Sequence, residues 1–165
     1  MDYLFSPWRY RYLAERGEPG GCVLCAQLAS GDDDASLVVH RGALAAVMLN
    51  RYPYTSGHVM ILPYAHAATL AACGAAARSE MIELAAQAEA ILTAEYRAQG
   101  LNLGMNLGEA AGAGIAGHLH LHVVPRWSGD ANFMTVVGET RVLPEELSAT
   151  YARLRRAFAL SLPRP

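Results

Sequence analysis

The strongest constraint on the fold is an alternation of histidine and aliphatic residues at positions 118–124. Imidazoles stand at positions 118, 120 and 122, and leucine or valine fills the positions between and after them. Apolar alternation with period two predicts a β-strand over residues 118–124. Side chains two residues apart share one face of a strand and lie roughly 6.6 Å apart. We therefore expect one face to pack into a core and the other to carry three imidazoles around a phosphate or a metal ion.

Further patterns predict an α+β fold, with a mostly antiparallel sheet, a long helix and a C-terminal helix. Strand patterns cover residues 37–41, 43–49, 57–62, 101–107 and 134–137, and helical periodicity covers residues 75–98. Pro144 followed by two glutamates suits the start of a helix, which we expect to reach about residue 160. The strands on either side of the loop at 108–117 are expected to pair.

The length of 165 residues indicates a single domain over 1–165, with an irregular N-terminal arm at 1–21 and the C-terminal helical segment at 144–165. A net charge of -2 argues against broad nucleic-acid or membrane binding through a basic surface. The first residues lack the pattern of a signal peptide, and no run of 18 apolar residues suggests a membrane span. Three cysteines are too few for a disulfide framework, so a cytoplasmic location is expected.

The alternating histidines are compatible with two kinds of chemistry. Neutral imidazole can attack phosphorus, and neighbouring imidazoles can donate hydrogen bonds or a proton to the reacting phosphate. A His-x-His metal site is the alternative, but no carboxylate lies between His122 and Asp130 to complete it. The preceding loop has four glycines in residues 108–117, which suits either an anion-binding nest or a flexible hairpin.

A Cys-x-x-Cys pair, Cys22 and Cys25, forms a second candidate site. The pair alone is compatible with inert thiols, with a redox pair, or with half of a tetrahedral metal site. Cys73 has no evident partner in the sequence and is interpreted as a plain thiol.

Several further motifs accompany the alternating histidines: Asn106-x-Gly108, Asn50-Arg51-x-Pro53, Gly57-His58-Val59-Met60 before Pro63, Trp8-Arg9, and the run at 125–134. With the histidines they resemble the histidine-triad family of nucleotide hydrolases and transferases, and within it the diadenosine tetraphosphate phosphorylase-like branch. The resemblance spans roughly residues 3–138 and implies a nucleotide substrate, a homodimer and catalysis through a covalent nucleotidyl-histidine. A nucleoside phosphoramidase of the same fold and a nucleotide-binding module with weak turnover are the alternatives.

The resemblance also implies roles for individual residues. His120 would attack the α-phosphate, His122 would contact the phosphate oxygens and assist the leaving group, and His58 would orient the site. Nucleotide-binding roles fall on six residues: Asn50 at the ribose, Asn106, Gly112 and Gly114 around the phosphate, and Val47 and Leu49 as walls for the base.

One branch of the family implies a structural zinc ion held by Cys22, Cys25, His66 and His118. The zinc would take His118 away from the chemistry. The sequence departs from the family at the Ser or Thr that many members carry before the first histidine, because Gly114 and Ile115 stand there.

Overall fold

The structure is a computed structural model that describes residues 21–131 and 145–161. In chain order the elements are α1 (Val23–Ala29), α2 (Asp33–Ser36), β1 (Val38–Arg41), β2 (Ala45–Leu49), β3 (Val59–Pro63), α3 (Ala75–Tyr96), β4 (Gly100–Gly104), a 3-10 turn (Glu109–Ala111), β5 (Leu121–Arg126) and α4 (Leu147–Ser161). The predicted α+β fold is confirmed. The predicted N-terminal arm and the strand at 134–137 lie outside the described residues.

The strands form one five-stranded sheet in the order β1-β2-β3-β5-β4, and every neighbouring pair is antiparallel. The expected pairing of the strands on either side of the glycine-rich loop is confirmed, since Leu103 lies opposite Val123 and Gly104 opposite His122. This order puts β5 between β3 and β4, so β5 pairs with a neighbouring strand along both of its edges.

The two faces of the sheet are covered by different helices. The larger apolar cluster packs one face against α3 and α4 and includes Val47, Leu49, Met81, Leu92 and Phe158. A smaller cluster lies on the other face with α1 and combines apolar residues of α1 and the first three strands: Leu24, Leu28, Val38, Ala46, Met48 and Leu62. Burial of both sets stabilises the sheet through the removal of apolar surface from water.

The histidine strand begins later than the alternation predicts. It covers Leu121–Arg126, so His118, which lies at a bend, and His120 both precede it. The ladder between β3 and β5 ends at the pair Ile61–Leu121, because Pro63, which would face Leu119, has no amide to donate. Leu119 instead donates its amide to the Ala67 carbonyl at 2.6 Å.

The long helix ends two residues earlier than predicted, at Tyr96. Arg97 follows in the left-handed conformation with φ 50, which closes the helix before Gly100 opens β4. Among the described residues, no helix is long and apolar enough to cross a membrane.

Candidate functional site

The histidines of the alternation divide between two sites. The rings of His120 and His122 meet edge to face with centroids 4.8 Å apart. The ring of His118 points to a cluster with His66, whose ring centroid is 5.4 Å away. The expectation that all three imidazoles surround one ligand is therefore wrong, because the segment before Leu121 is not held flat by strand pairing.

The position of the proton on His120 follows from its hydrogen bond. His120 Nδ1 lies 2.8 Å from the backbone oxygen of His118, and a carbonyl oxygen can only accept. Nδ1 therefore donates, and Nε2 of the neutral ring keeps its lone pair. His120 is 7% exposed, so most of its ring is shielded from solvent.

A chain of hydrogen bonds sets the proton on His122 in the same way. The backbone amide of Tyr54 donates to His58 Nδ1 at 3.1 Å, which leaves the proton of a neutral His58 on Nε2. His58 Nε2 lies 3.0 Å from His122 Nδ1 and donates to it. His122 then carries its proton on Nε2. The two neighbouring imidazoles thus present a lone pair on His120 and an N–H on His122.

His58 and His122 are both neutral at physiological pH. Burial, reinforced by repulsion from His122 and His120, lowers the pKa of His58 to about 3. Burial and repulsion from His120 lower the pKa of His122 to about 4. Desolvation disfavours the charged imidazole in each case. A neutral His122 therefore has one N–H, at Nε2, that can donate a hydrogen bond to a phosphate oxygen.

The loop between β2 and β3 brings Asn50 beside His58. The backbone amide of Asn50 donates to the His58 carbonyl oxygen at 3.0 Å. Its side-chain nitrogen lies 3.4 Å from both ring nitrogens of His58, and its Oδ1 accepts from the Tyr52 amide at 3.0 Å. The structure therefore places Asn50 next to the histidine pair.

The glycine-rich loop differs from a simple anion nest. Gly112 has φ 84, but its amide already donates to the Glu109 carbonyl at 2.9 Å. Gly114 is half-buried, and Ile115 packs against the apolar cluster beneath α1. Asn106, at the start of the loop, lines an open groove that also contains His122.

The prediction that Val47 and Leu49 wall the base is wrong. They are 0% and 1% exposed and pack into the core under α3, on the sheet face away from His122. Register explains the error: Met48 lies opposite Met60, and Met60 lies opposite His122, so the two methionines share the histidine face. A shift of one residue along a strand moves a side chain to the other face.

Two further contributions were not predicted from the sequence. Tyr54 supplies the amide that sets the His58 tautomer, and its ring lies 4.7 Å from the His58 ring, centroid to centroid. A backbone donor carries no signal in a sequence. Met60 lies beside His122 across the β3–β5 ladder, a position visible only once the register is known.

The second site brings together Cys22, Cys25, His66 and His118, whose ligand atoms all lie within 4.8 Å of one another. Cys25 Sγ is 3.3 Å from His66 Nδ1 and 3.4 Å from His118 Nδ1, and Cys22 Sγ is 3.4 Å from His118 Nδ1. Ligands about 2.0–2.3 Å from a tetrahedral ion lie about 3.3–3.8 Å from one another. The four residues therefore form a group that could hold a metal ion.

The hydrogen bonding of His118 suits a ligand. Its Nε2 lies 2.9 Å from the Pro63 carbonyl and must donate, so the lone pair is on Nδ1, the atom that faces both thiols. Burial and the neighbouring Cys22 raise the pKa of the Cys25 thiol. A cation between the sulfurs would reverse this effect because it stabilises the thiolate.

The sequence matches the family model of the HIT domain over residues 32–129. The chain belongs to the histidine-triad (HIT) family. It is 38% identical over 166 residues to a protein of Mycobacterium tuberculosis named AP-4-A phosphorylase, a match that covers 96% of this chain and 85% of the relative. The predicted resemblance to the family, including that branch, is confirmed.

Solved HIT structures share the fold. A zinc-bound histidine triad family protein from Mycobacterium smegmatis superposes with a TM-score of 0.69 at 29% identity, covering 85% of this chain and 94% of that one. A hypothetical histidine triad nucleotide-binding protein from Sulfolobus tokodaii has a TM-score of 0.66 at 22% identity, covering 84% and 93%. The second likeness supports the fold alone.

Proposed function

We propose that this HIT protein transfers a nucleotidyl group from a dinucleoside polyphosphate, with His120 as the nucleophile. The observation that carries the proposal is the complementary protonation of two adjacent rings. His120 presents the lone pair of Nε2 and His122 presents its Nε2 proton, on two rings whose centroids are 4.8 Å apart. An activated nucleophile beside a hydrogen-bond donor is the arrangement that phosphoryl transfer through a covalent intermediate needs.

In the first step, His120 Nε2 forms a bond to the α-phosphorus, and the bond from that phosphorus to the bridging oxygen breaks. The polyphosphate of the second nucleotide leaves with the electron pair. The N–H of His122 donates to the departing oxygen or to an oxygen of the α-phosphate and stabilises the charge that develops there. In the second step, an oxygen of phosphate or water bonds to the same phosphorus, and the bond from that phosphorus to His120 Nε2 breaks. The ring regains its lone pair, and the proton of an attacking water passes to solvent.

The substrate class is supported by the relative named AP-4-A phosphorylase, to which the chain is similar over nearly its whole length. Asn50 beside His58 and Asn106 in the groove are the residues that we assign to the ribose and the phosphates. With glycine and isoleucine at positions 114 and 115, no hydroxyl precedes the first histidine, so this contact to the leaving group falls to other groups.

Product analysis tests the proposal. Diadenosine tetraphosphate is incubated with and without inorganic phosphate, and adenosine phosphoramidate is assayed in parallel. Phosphorolysis yields ADP and ATP and requires phosphate, whereas hydrolysis yields AMP and ATP. Cleavage of the phosphoramidate alone would indicate a phosphoramidase, and nucleotide binding without turnover would indicate a binding module.

His120→Ala should abolish turnover and preserve most nucleotide binding. The matched control is His40→Ala, since His40 stacks on Phe158 with centroids 5.4 Å apart, away from the site, and the control should remain active. An active His120→Ala protein would remove the proposed nucleophile.

We further propose that Cys22, Cys25, His66 and His118 hold a structural zinc ion. Two thiolates and two imidazoles are a donor set that zinc prefers, and four protein ligands leave no open position for substrate. Bound there, zinc would fix the segment that leads to His120. Metal analysis of protein purified without added zinc should give one zinc per chain. A stoichiometry near zero in folded, active protein would contradict the assignment.

A homodimer through the β4 edge is the assembly we propose. Among the described strands β4 lies at the edge of the sheet, and it carries Leu103, which is 49% exposed, with Leu107 beyond it at 44%. An exposed apolar edge strand is a template for pairing with another chain. Light scattering should give twice the mass of the chain, and Leu103→Lys should give the mass of a single chain.

A further inference from the structure

Two of the four residues assigned to the zinc ion carry sulfur and are partly open to solvent. Cys22 and Cys25 are both half-buried, and His66, which contacts the Cys25 sulfur, is exposed. Cys73, the third cysteine of the chain, lies in the larger apolar cluster and is 0% exposed. A small molecule in solution can therefore reach the cysteine pair, whereas the third thiol is shielded from it.

We propose that Cys22 and Cys25 are a reversible oxidation site for peroxides, at which disulfide formation releases the zinc ion and loosens the nucleophilic histidine. This inference rests on the proposed zinc site and the proposed function, and it adds a means of regulation to them. The two sulfurs lie within 4.8 Å of each other. Sulfurs in a disulfide are about 2.05 Å apart, so each has to move by less than about 1.5 Å.

The local backbone permits that movement. Cys22 precedes α1 in an extended conformation, with φ -76 and ψ 117, and its side chain makes no capping hydrogen bond to the helix. Cys25 lies in the first turn of α1, at the spacing of a Cys-x-x-Cys redox pair. Rotation of the two side chains about their Cα–Cβ bonds can therefore close the disulfide while α1 keeps its position.

Oxidation by hydrogen peroxide takes two electrons from the pair. The Cys25 thiolate, whose contact with His66 lies on the exposed side, attacks one oxygen of the peroxide. The O–O bond breaks, hydroxide leaves, and Cys25 becomes a sulfenic acid. The Cys22 thiolate then attacks the Cys25 sulfur, so that the S–S bond forms and the S–O bond breaks with loss of a second hydroxide. Two protons from solvent convert both hydroxides to water.

The disulfide no longer holds the metal, because the thiolate is the form of cysteine that binds zinc. The imidazoles of His66 and His118 remain, which are two ligands where a structural zinc site has four. The ion therefore passes to solvent with its charge unchanged. Reduction of the disulfide by a dithiol restores both thiolates, and zinc can bind again.

Release of the ion acts on the nucleophile through His118. The ring of His118 loses its link at Nδ1, the atom that faces both sulfurs. Its carbonyl accepts from His120 Nδ1 at 2.8 Å, so motion of this peptide group weakens the bond that fixes the proton of His120. The next amide, that of Leu119, donates to the Ala67 carbonyl, and its hydrogen exchange reports on the same segment independently of activity. Disturbing the groups around a metal ligand typically costs about 10- to 100-fold in metal affinity or activity.

The experiment treats zinc-loaded protein with hydrogen peroxide. Peptide mapping should find a disulfide between Cys22 and Cys25 and a free Cys73, and a metallochromic indicator should detect one zinc ion per disulfide. Hydrogen exchange at Leu119 should accelerate, and cleavage of diadenosine tetraphosphate should fall about tenfold. Dithiothreitol with added zinc should reverse all of these changes. Reversal separates them from oxidation of Met60 beside His122, because methionine sulfoxide needs its own reductase.

Cys22→His keeps four zinc ligands but cannot form the disulfide, so peroxide should neither remove its zinc nor lower its own starting activity. Cys73→Ala is the matched control and should respond to peroxide as the wild type does. If Cys22→His does not fold, the peptide map and the zinc release of the wild type decide the question.

Three results would overturn the oxidation site: modification of Cys73 as readily as the pair, zinc retained beside the disulfide, or activity and Leu119 exchange both unchanged by zinc release. Protein that contains no zinc before treatment would overturn the metal assignment and this inference with it. Protein that forms the disulfide, releases zinc and exchanges faster at Leu119, but cleaves no dinucleotide even before treatment, would instead overturn the proposed function.

Discussion

The neutral pair His58 and His122 should make the stability of the fold fall steeply in mild acid. In the unfolded chain each imidazole regains its ordinary pKa of 6.5, whereas in the folded protein the pKa of His58 is about 3 and that of His122 about 4. Between these values and pH 6.5 the unfolded chain binds more protons than the folded one. Stability therefore rises with pH across this window and is lost as the pH falls through it.

The magnitude at pH 5 depends little on how far the folded pKa values lie below 5. Each imidazole is almost fully protonated in the unfolded chain at pH 5 and neutral in the folded protein. From pH 7 to pH 5 each residue then removes about 2 kcal/mol of the free energy of unfolding, so the pair removes about 4 kcal/mol. That is a large share of the stability of a small domain.

Urea unfolding at pH 7, 6 and 5, followed by circular dichroism, measures the effect. His122→Gln keeps a polar side chain but no titrating group, and should lose about 2 kcal/mol less than the wild type over this range. Both proteins carry the same Cys–His cluster, so its acid sensitivity cancels in the difference. Ile82→Gln, at an exposed position of α3, is the control for an exposed substitution and should follow the wild type. Identical pH dependence of His122→Gln and the wild type would refute the reasoning.

Three further outcomes are expected. Gly42→Ala should lower the free energy of unfolding by about 2 kcal/mol, because the new Cβ would contact the Glu80 carboxylate and lie 3.0 Å from the Ala45 oxygen. Gly74→Ala is its control: a Cβ there has nothing within 4 Å, so this variant should lose far less stability in the same denaturation assay. Glu80→Gln should also destabilise the β1–β2 turn by about 1 kcal/mol, because its two oxygens accept from consecutive backbone amides at 2.6 Å each; unfolding curves unchanged from the wild type would contradict it. Cys25→Ser should lower the zinc content and the melting temperature together, and a normal zinc content would argue against its role as a ligand.

Much of the fold follows from local patterns. Apolar runs locate β1, β2, β3 and β5 to within three residues at each end, and helical periodicity locates α3, because both report which side chains face a core. Register is different: it depends on pairing between strands distant in the chain. Register decides that Val47 and Leu49 face α3, contrary to the role at the base that the resemblance implies, and a strand with five buried residues in a row gives no alternation from which to read this.

The same distinction between local pattern and folded geometry applies to the candidate site. His120, His122 and His58 can be selected from the sequence because their motifs are specific, and the structure brings the three rings together. The protonation of each ring could not be predicted, because it depends on the Tyr54 amide and the His118 carbonyl. Backbone groups are the same at every residue, so only the folded geometry shows which of them faces an imidazole nitrogen.

His118 connects the two sites through its backbone and its side chain. Its ring faces Cys22 and Cys25, while its carbonyl accepts from Nδ1 of His120. Since this hydrogen bond keeps the lone pair of His120 on Nε2, the orientation of one peptide group determines whether the proposed nucleophile is correctly protonated. A strand continued through residue 118 would place all three rings on one face and commit this carbonyl to the ladder. The end of the ladder at Pro63 is therefore what allows a metal-binding cluster and a reactive histidine to be built two residues apart.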